Sequence, residues 1–236
     1  MTEAALKGHD MTGSYDRDQD RERLLVAILS HVPFDGWSEI ALQAAGADTG
    51  IPADRVLNAF PGGAREVLIL WHEVTDQNMV AAMAAPEIAG LRVRERVAAA
   101  IRLRLESCQP HREAVRAGCT LLLMPQNTLL ATKLLYGTVN AIWYAIGDQS
   151  TDYNFYTKRA LLAAVYSSTV LYWLNDKTED CAASWAFLDR RIAEVMQIPQ
   201  ALGRVSDRVK EFADHLPRPM RMFKRARPGF RRRHAR

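Results

Sequence analysis

Prolines and glycines cut this chain into segments of helical length, and none of those segments alternates apolar and polar residues as a strand would. Leu25, Ile28, Leu29 and Val32 recur at helical spacing and define one face of a first helix that stops at Pro33. Ser38 to Ala45 reads as a second helix and Pro52 to Phe60 as a third, with Gly46 and Gly50 in the turn between them. Pro61-Gly62-Gly63 closes this unit. A fourth helix carries Val67, Leu70, Trp71 and Val74, and a fifth, opened by Pro86, carries Val93, Val97, Ile101 and Leu105. Pro110 and Pro125 bracket a shorter one. Two long helices then run to Ile146 and from Tyr153 to Leu174, and Trp185, Leu188, Ile192 and Val195 mark another before Pro199. The expected fold is all-α: a three-helix start with helix-turn-helix spacing, followed by a larger bundle.

Beyond Pro199, Leu202, Val205, Val209, Phe212 and Leu216 fall on one face of a last helix, with charged residues on the other. Such a helix can lie in a membrane interface, dock on the bundle or meet a second subunit, and periodicity does not separate these. After Asp214 no carboxylate side chain follows, while Arg218, Arg221, Lys224, Arg225, Arg227, Arg231, Arg232, Arg233 and Arg236 do. Taking those nine cations from the net charge of +4 leaves the body at −5, so the basic character belongs to the tail. A tail of this kind suits anionic lipid, nucleic acid or a solvated, disordered end.

No secretory signal is visible, and no run approaches the roughly 20 apolar residues of a membrane span. The acids among the first twenty residues are wrong for a mitochondrial presequence. Cys108, Cys119 and Cys181 lack metal or redox spacing and read as reduced, inert thiols in a cytosol-like compartment. A bacterial cytoplasmic protein, or a mature form, fits.

Enzyme motifs are missing. The sequence has no nucleophile elbow, phosphate loop or dinucleotide fingerprint. His72-Glu73 and His111/Glu113 lack the Glu-x-x-His spacing of di-iron bundles, and His31 and His72 read as helix-end or boundary residues. Neither catalytic nor metal-binding residues are assigned, and no cofactor is expected. The third helix offers Arg55 and Asn58 to DNA, but Asp35, Glu39, Asp48 and Asp54 surround them with the charge a polyanion repels. A ligand-sensing, DNA-binding regulator is therefore the second reading, and no nucleic acid partner is expected.

What needs a further explanation is Gly147-Asp-Gln-Ser-Thr-Asp-Tyr-Asn-Phe-Tyr156. Capping explains Ser150 or Thr151, since such side chains accept from free N–H groups at a helix start. Asp148, Gln149, Phe155 and Tyr156 exceed what a cap requires, and aromatics beside a rigid polar turn suit a protein partner.

That run, with His31-Val-Pro-Phe-Asp-Gly-Trp37-Ser38, Met124-Pro-Gln-Asn127, Arg159 to Tyr166 and Trp185-x-Phe187-Leu188-x-x-Arg191-Ile192, resembles the Coq-nine-type ubiquinone-biosynthesis accessory proteins. These are lipid-binding members of the tetracycline-repressor-like fold, and the likeness covers roughly residues 20 to 216. It implies a non-catalytic protein whose bundle binds an isoprenoid quinone intermediate or a phospholipid. It further implies a terminal membrane-binding helix (Leu202, Val205, Val209, Phe212, Leu216), a homodimer, and the di-iron demethoxyubiquinone hydroxylase as partner. By that likeness Trp143, Gly147, Asp148, Gln149, Asp152, Asn154, Phe155 and Tyr156 form the partner surface. The place implied is cytoplasmic and peripheral on the inner membrane in a bacterium, or on the matrix side of a mitochondrion.

A polyprenyl chain needs apolar area rather than directed hydrogen bonds, at about 25 cal/mol per Å² buried. Trp71, Val97, Ile101, Leu105, Leu122, Leu134, Leu135, Val139, Ile142, Leu162 and Val165 are lining candidates, with Met79 and Met83, and each taken singly reads as ordinary core before ligand contact. The expected organisation is a disordered 1–19, a helix-turn-helix-like unit over 20–63, a bundle with a lipid pocket over 64–198, a membrane-binding helix over 199–217 and a basic tail over 218–236.

Overall fold

Leu24, Ile28 and Val32 recur every four residues and are almost wholly buried, which fixes the inward face of helix α1 (Glu3–Asp35). A computed structural model describes the backbone over residues 3–147 and 153–195, with side chains over 16–147 and 156–195. Two expectations about this helix change. It takes in residues 3–19, expected to be disordered, and it passes Pro33 instead of stopping there. Near a helix end proline forfeits little beyond its own N–H bond, and the stop comes at Gly36, whose N–H donates to the Val32 carbonyl at a φ of +65°.

Helix α2 (Glu39–Thr49) is capped by Ser38, whose hydroxyl accepts from the Ala41 N–H at 3.3 Å, and it ends at Gly50 in the left-handed region. Helix α3 (Ala53–Ala59) follows so closely that a Cβ on Gly46 would stand 2.9 Å from the Val56 methyl. The third tight place is Gly63, with φ +64° and ψ −155°, a region open essentially to glycine alone. The Glu39 carboxylate occupies the space a Cβ would need there and accepts from the Ala64 N–H at 3.0 Å. Gly63→Ala is expected to cost about 1–3 kcal/mol, read as a lower urea midpoint, whereas an alanine at Gly90, with open space around it, should change little.

Helix α4 (Ala64–Ala82) buries Val67, Leu68, Trp71, Thr75 and Met79, so its inward stripe runs through Leu68 rather than the expected Leu70 and Val74. The segment after Pro86 is two helices, α5 (Pro86–Ala89) and α6 (Val93–Ser107), split at Gly90, and Val93 is exposed while Val97, Ile101 and Leu105 are core. Helices α7 (Arg112–Leu122), α8 (Thr128–Ala145) and α9 (Tyr153–Trp173) lie where the prolines and Gly147 place them, and α10 runs over 182–195. No strand occurs among the described residues, and no helix there is long and apolar enough to cross a membrane.

Residues 1–192 make one compact unit, and α1 and α2 pack on α4 across the boundary expected after residue 63. Trp37 is the joint. Its indole N–H donates to the Ala114 carbonyl at 3.0 Å, its ring sits 5.3 Å from that of Trp71, and Gly118 on α7 leaves it room. The α9–α10 turn is held by Asp176, which accepts from the N–H and hydroxyl of both Thr178 and Ser184. Burial works against that carboxylate's charge, but these bonds outweigh it and hold the group well below the usual carboxylate range. Residues 193–236 form a second unit, described only as far as residue 195. The expected membrane-binding residues Leu202, Val205, Val209, Phe212 and Leu216, and the basic tail, lie outside the described residues.

Candidate functional site

Helices α4, α6, α7, α8 and α9 enclose a cavity of about 280 Å³. Trp71, Val115, Leu122, Leu134, Leu135 and Val170 supply apolar wall, and Leu123 and Leu171, 79% and 54% exposed, stand at its rim. The volume lies just below the range of small-molecule pockets, so it suits part of a long ligand rather than the whole. Of the eleven expected lining residues, Trp71, Leu122, Leu134 and Leu135 line it. Val97, Ile101, Leu105, Val139, Ile142, Leu162 and Val165 do not; they are buried core, as are Met79 and Met83. Spacing marks an inward face without saying whether that face meets a side chain or a void.

One end of the cavity is polar and buried. Arg104, only 4% exposed, donates from Nε to Asp76 at 2.6 Å, from one terminal nitrogen to the Tyr166 hydroxyl at 2.5 Å, and from the other to His72 Nδ1 at 3.2 Å. Thr138 adds a bond to the Asp76 carboxylate at 3.0 Å. Burial disfavours the charge on Arg104, yet the neighbouring Tyr166 and Asp76 hold its affinity for the proton above the ordinary arginine value. Tyr166 is pushed up by burial against the pull of Arg104, and so stays a neutral phenol. Burial likewise raises the Cys108 and Cys119 thiols, which line the same space and stay protonated.

His72 corrects an expectation: it stands mid-helix in the cavity wall, not at a boundary. Burial first, then repulsion from Arg104, lower its pKa from 6.5 to about 3. Between those values the unfolded chain binds a proton that the folded chain refuses, so stability is full above about pH 6.5 and falls as the pH drops toward 3. At pH 5.5 the expected loss is about 1.4 kcal/mol. His72→Asn, which keeps an acceptor for Arg104, should flatten the change in urea midpoint between pH 7.5 and 5.5; an equal slope in both proteins would remove His72 as its cause. Sequence reading missed Asp76, Arg104, Thr138 and Tyr166. The signal was there in Arg104, a charge set between Ile101, Leu105 and Cys108 on an otherwise apolar face.

The expected partner surface divides. Trp143 is buried, because Val139, Ile142, Trp143 and Ile146 share the inward face of α8, and the Lys158 ammonium lies 5.6 Å over its ring. That spacing removes Trp143, which the family likeness placed on the partner surface, from the surface. Gly147 closes α8 at a φ of +76°. Tyr156 is 74% exposed, and Tyr144 and Tyr136 on α8 are exposed as well. Asp148, Gln149 and Asp152 lie outside the described residues, as do the side chains of Asn154 and Phe155. In the helix-turn-helix unit the half-exposed Arg55 is paired: Nε and a terminal nitrogen both donate to buried Asp20 at 2.8 Å.

The family model described as COQ9 matches residues 129–199, which takes in α8 but for its first residue, α9 and α10. Ubiquinone biosynthesis protein COQ9-B, mitochondrial, of Xenopus laevis is 31% identical over 208 residues, covering 84% of this chain and 70% of that protein. The chain belongs to the COQ9 family. Its COQ9 relatives in Rattus norvegicus and Homo sapiens are each 28% identical over 88% of this chain, covering 69% and 67% of their own lengths. The chain thus spans about two thirds of the length of the COQ9 proteins it matches. Among solved structures, the TetR transcriptional regulator from Nitrosomonas europaea ATCC 19718 superposes with a TM-score of 0.64 at 17% identity, over 75% of this chain and 98% of that one. At that identity the likeness establishes the tetracycline-repressor-like fold of this COQ9 member and nothing about DNA.

Proposed function

We propose that this COQ9 member is a non-catalytic accessory protein of ubiquinone biosynthesis, which holds an isoprenoid quinone intermediate in the bundle cavity and presents it to the di-iron demethoxyubiquinone hydroxylase. The observation that carries the reading is the cavity itself, an apolar space with one polar end in a chain whose relatives are named for ubiquinone biosynthesis. A long apolar tail binds such a wall without a motif, because burial is non-directional. The bidentate Arg55–Asp20 pair favours this reading over a regulator, since a carboxylate that offsets the arginine's charge weakens its pull on phosphate.

The expected terminal helix and basic tail are assigned to the membrane surface, and a second copy to the last helices of the bundle. The relatives carry mitochondrial names, so the matrix face of the inner membrane is the assigned site in a eukaryotic host, and the cytoplasmic face in a bacterium. Native mass spectrometry of protein from a quinone-making host tests the central claim. An isoprenoid or phospholipid mass bound to the folded chain is expected, and protein that stays empty in such a host would overturn the reading. Tyr156→Ala should weaken hydroxylase binding by about tenfold while moving stability by less than about 0.5 kcal/mol, because that side chain is mostly in solvent. Undiminished hydroxylase binding would take Tyr156 out of the docking surface.

A further inference from the structure

The hydrogen-bond inventory at the buried end of the cavity is one-sided. Arg104 has no acceptor to offer, and its N–H donation to His72 Nδ1 fixes the imidazole as the tautomer with its proton on Nε2. That Nε2–H meets no acceptor among the described residues. Tyr166 accepts from Arg104, and its own O–H proton likewise finds no acceptor there. Burial keeps the phenol protonated and the imidazole neutral, so both donors persist across the physiological pH range. The Arg104 charge is matched by Asp76, which Thr138 also binds, so this end offers donors without offering net positive charge.

We propose that the buried end of the cavity takes an uncharged oxygen acceptor, a ring carbonyl held by the Tyr166 hydroxyl and His72 Nε2, so that the ligand enters head first and its apolar chain leaves across Leu123 and Leu171. Donors left unmatched beside an apolar wall are costly once a ligand displaces solvent from them, and a carbonyl oxygen has two lone pairs to meet two of them. A carboxylate or phosphate finds no uncompensated cation here, and a plain hydrocarbon leaves both donors unmet. The direction of entry follows from the gradient of exposure, from nearly buried Arg104 and Thr138 to the open leucines of the rim.

The proposal rests on the cavity's holding an isoprenoid, and three probes of one chain length separate the two claims. They are a 1,4-benzoquinone bearing one isoprenyl chain, the corresponding isoprenoid hydrocarbon and its terminal carboxylate, titrated into delipidated full-length protein. The quinone is expected to bind most tightly, and Tyr166→Phe to weaken it about tenfold while leaving the hydrocarbon unchanged. His72→Phe gives the same readout where Tyr166→Phe fails to fold. Equal binding of quinone and hydrocarbon, a stronger carboxylate, or equal losses for quinone and hydrocarbon in the variant would each overturn the head-first assignment while leaving the lipid pocket standing. If none of the three binds, both claims fall.

Discussion

Replacing Asp76 with alanine is expected to destabilise the protein by about 3–5 kcal/mol, because it leaves the Arg104 guanidinium buried without its counter-charge. The Nε bond to Asp76 is 2.6 Å long, and the two side chains are 5% and 15% exposed, so water does little to replace the lost carboxylate. Thr138, almost fully buried, would also lose the acceptor for its hydroxyl. For a chain of this size such a loss lowers the melting temperature by roughly 10 °C or more. Asp76→Leu combined with Arg104→Met should recover much of it, since removing both charges removes the need for either. A melting temperature within 2 °C of the parent for Asp76→Ala, on the order of 1 kcal/mol or less, would mean that Arg104 reaches solvent.

Filling the cavity is expected to have the second large effect, on ligand rather than on fold. Ala131 on α8 lines the space and is only part-buried, so Ala131→Phe can turn a ring into the void with little strain elsewhere. Denying a ligand about 100 Å² of apolar contact costs about 2.5 kcal/mol, roughly 70-fold in affinity. Co-purified lipid should then fall to a trace in native mass spectra while the urea midpoint holds. Unchanged lipid loading would place the ligand somewhere other than this cavity.

The helices were legible in the sequence because their period and punctuation are local properties. Leu25, Ile28, Leu29 and Val32 needed no tertiary information to be placed inward. The void was not legible. Val97, Ile101 and Leu105 have the same spacing as true lining residues, and only the packing of α6 against its neighbours decides that they meet side chains. The polar end was hidden for another reason. Asp76, Arg104, Thr138 and Tyr166 lie on four helices and come together only when the bundle closes. Trp143 enters the expected partner surface through the family likeness, while its own spacing with Val139, Ile142 and Ile146 marks an inward face.

Trp37 carries a consequence for how the two halves of this fold communicate. Its ring lies on Trp71, which is cavity wall, and its N–H is anchored on α7 beside that wall. A ligand pressing on Trp71 would therefore act on the joint between the three-helix unit and the bundle. The coupling is reciprocal: whatever tightens α2 onto α4 would also tighten the grip on a ligand in the cavity, and amide exchange in α2 would gauge whether that cavity is full.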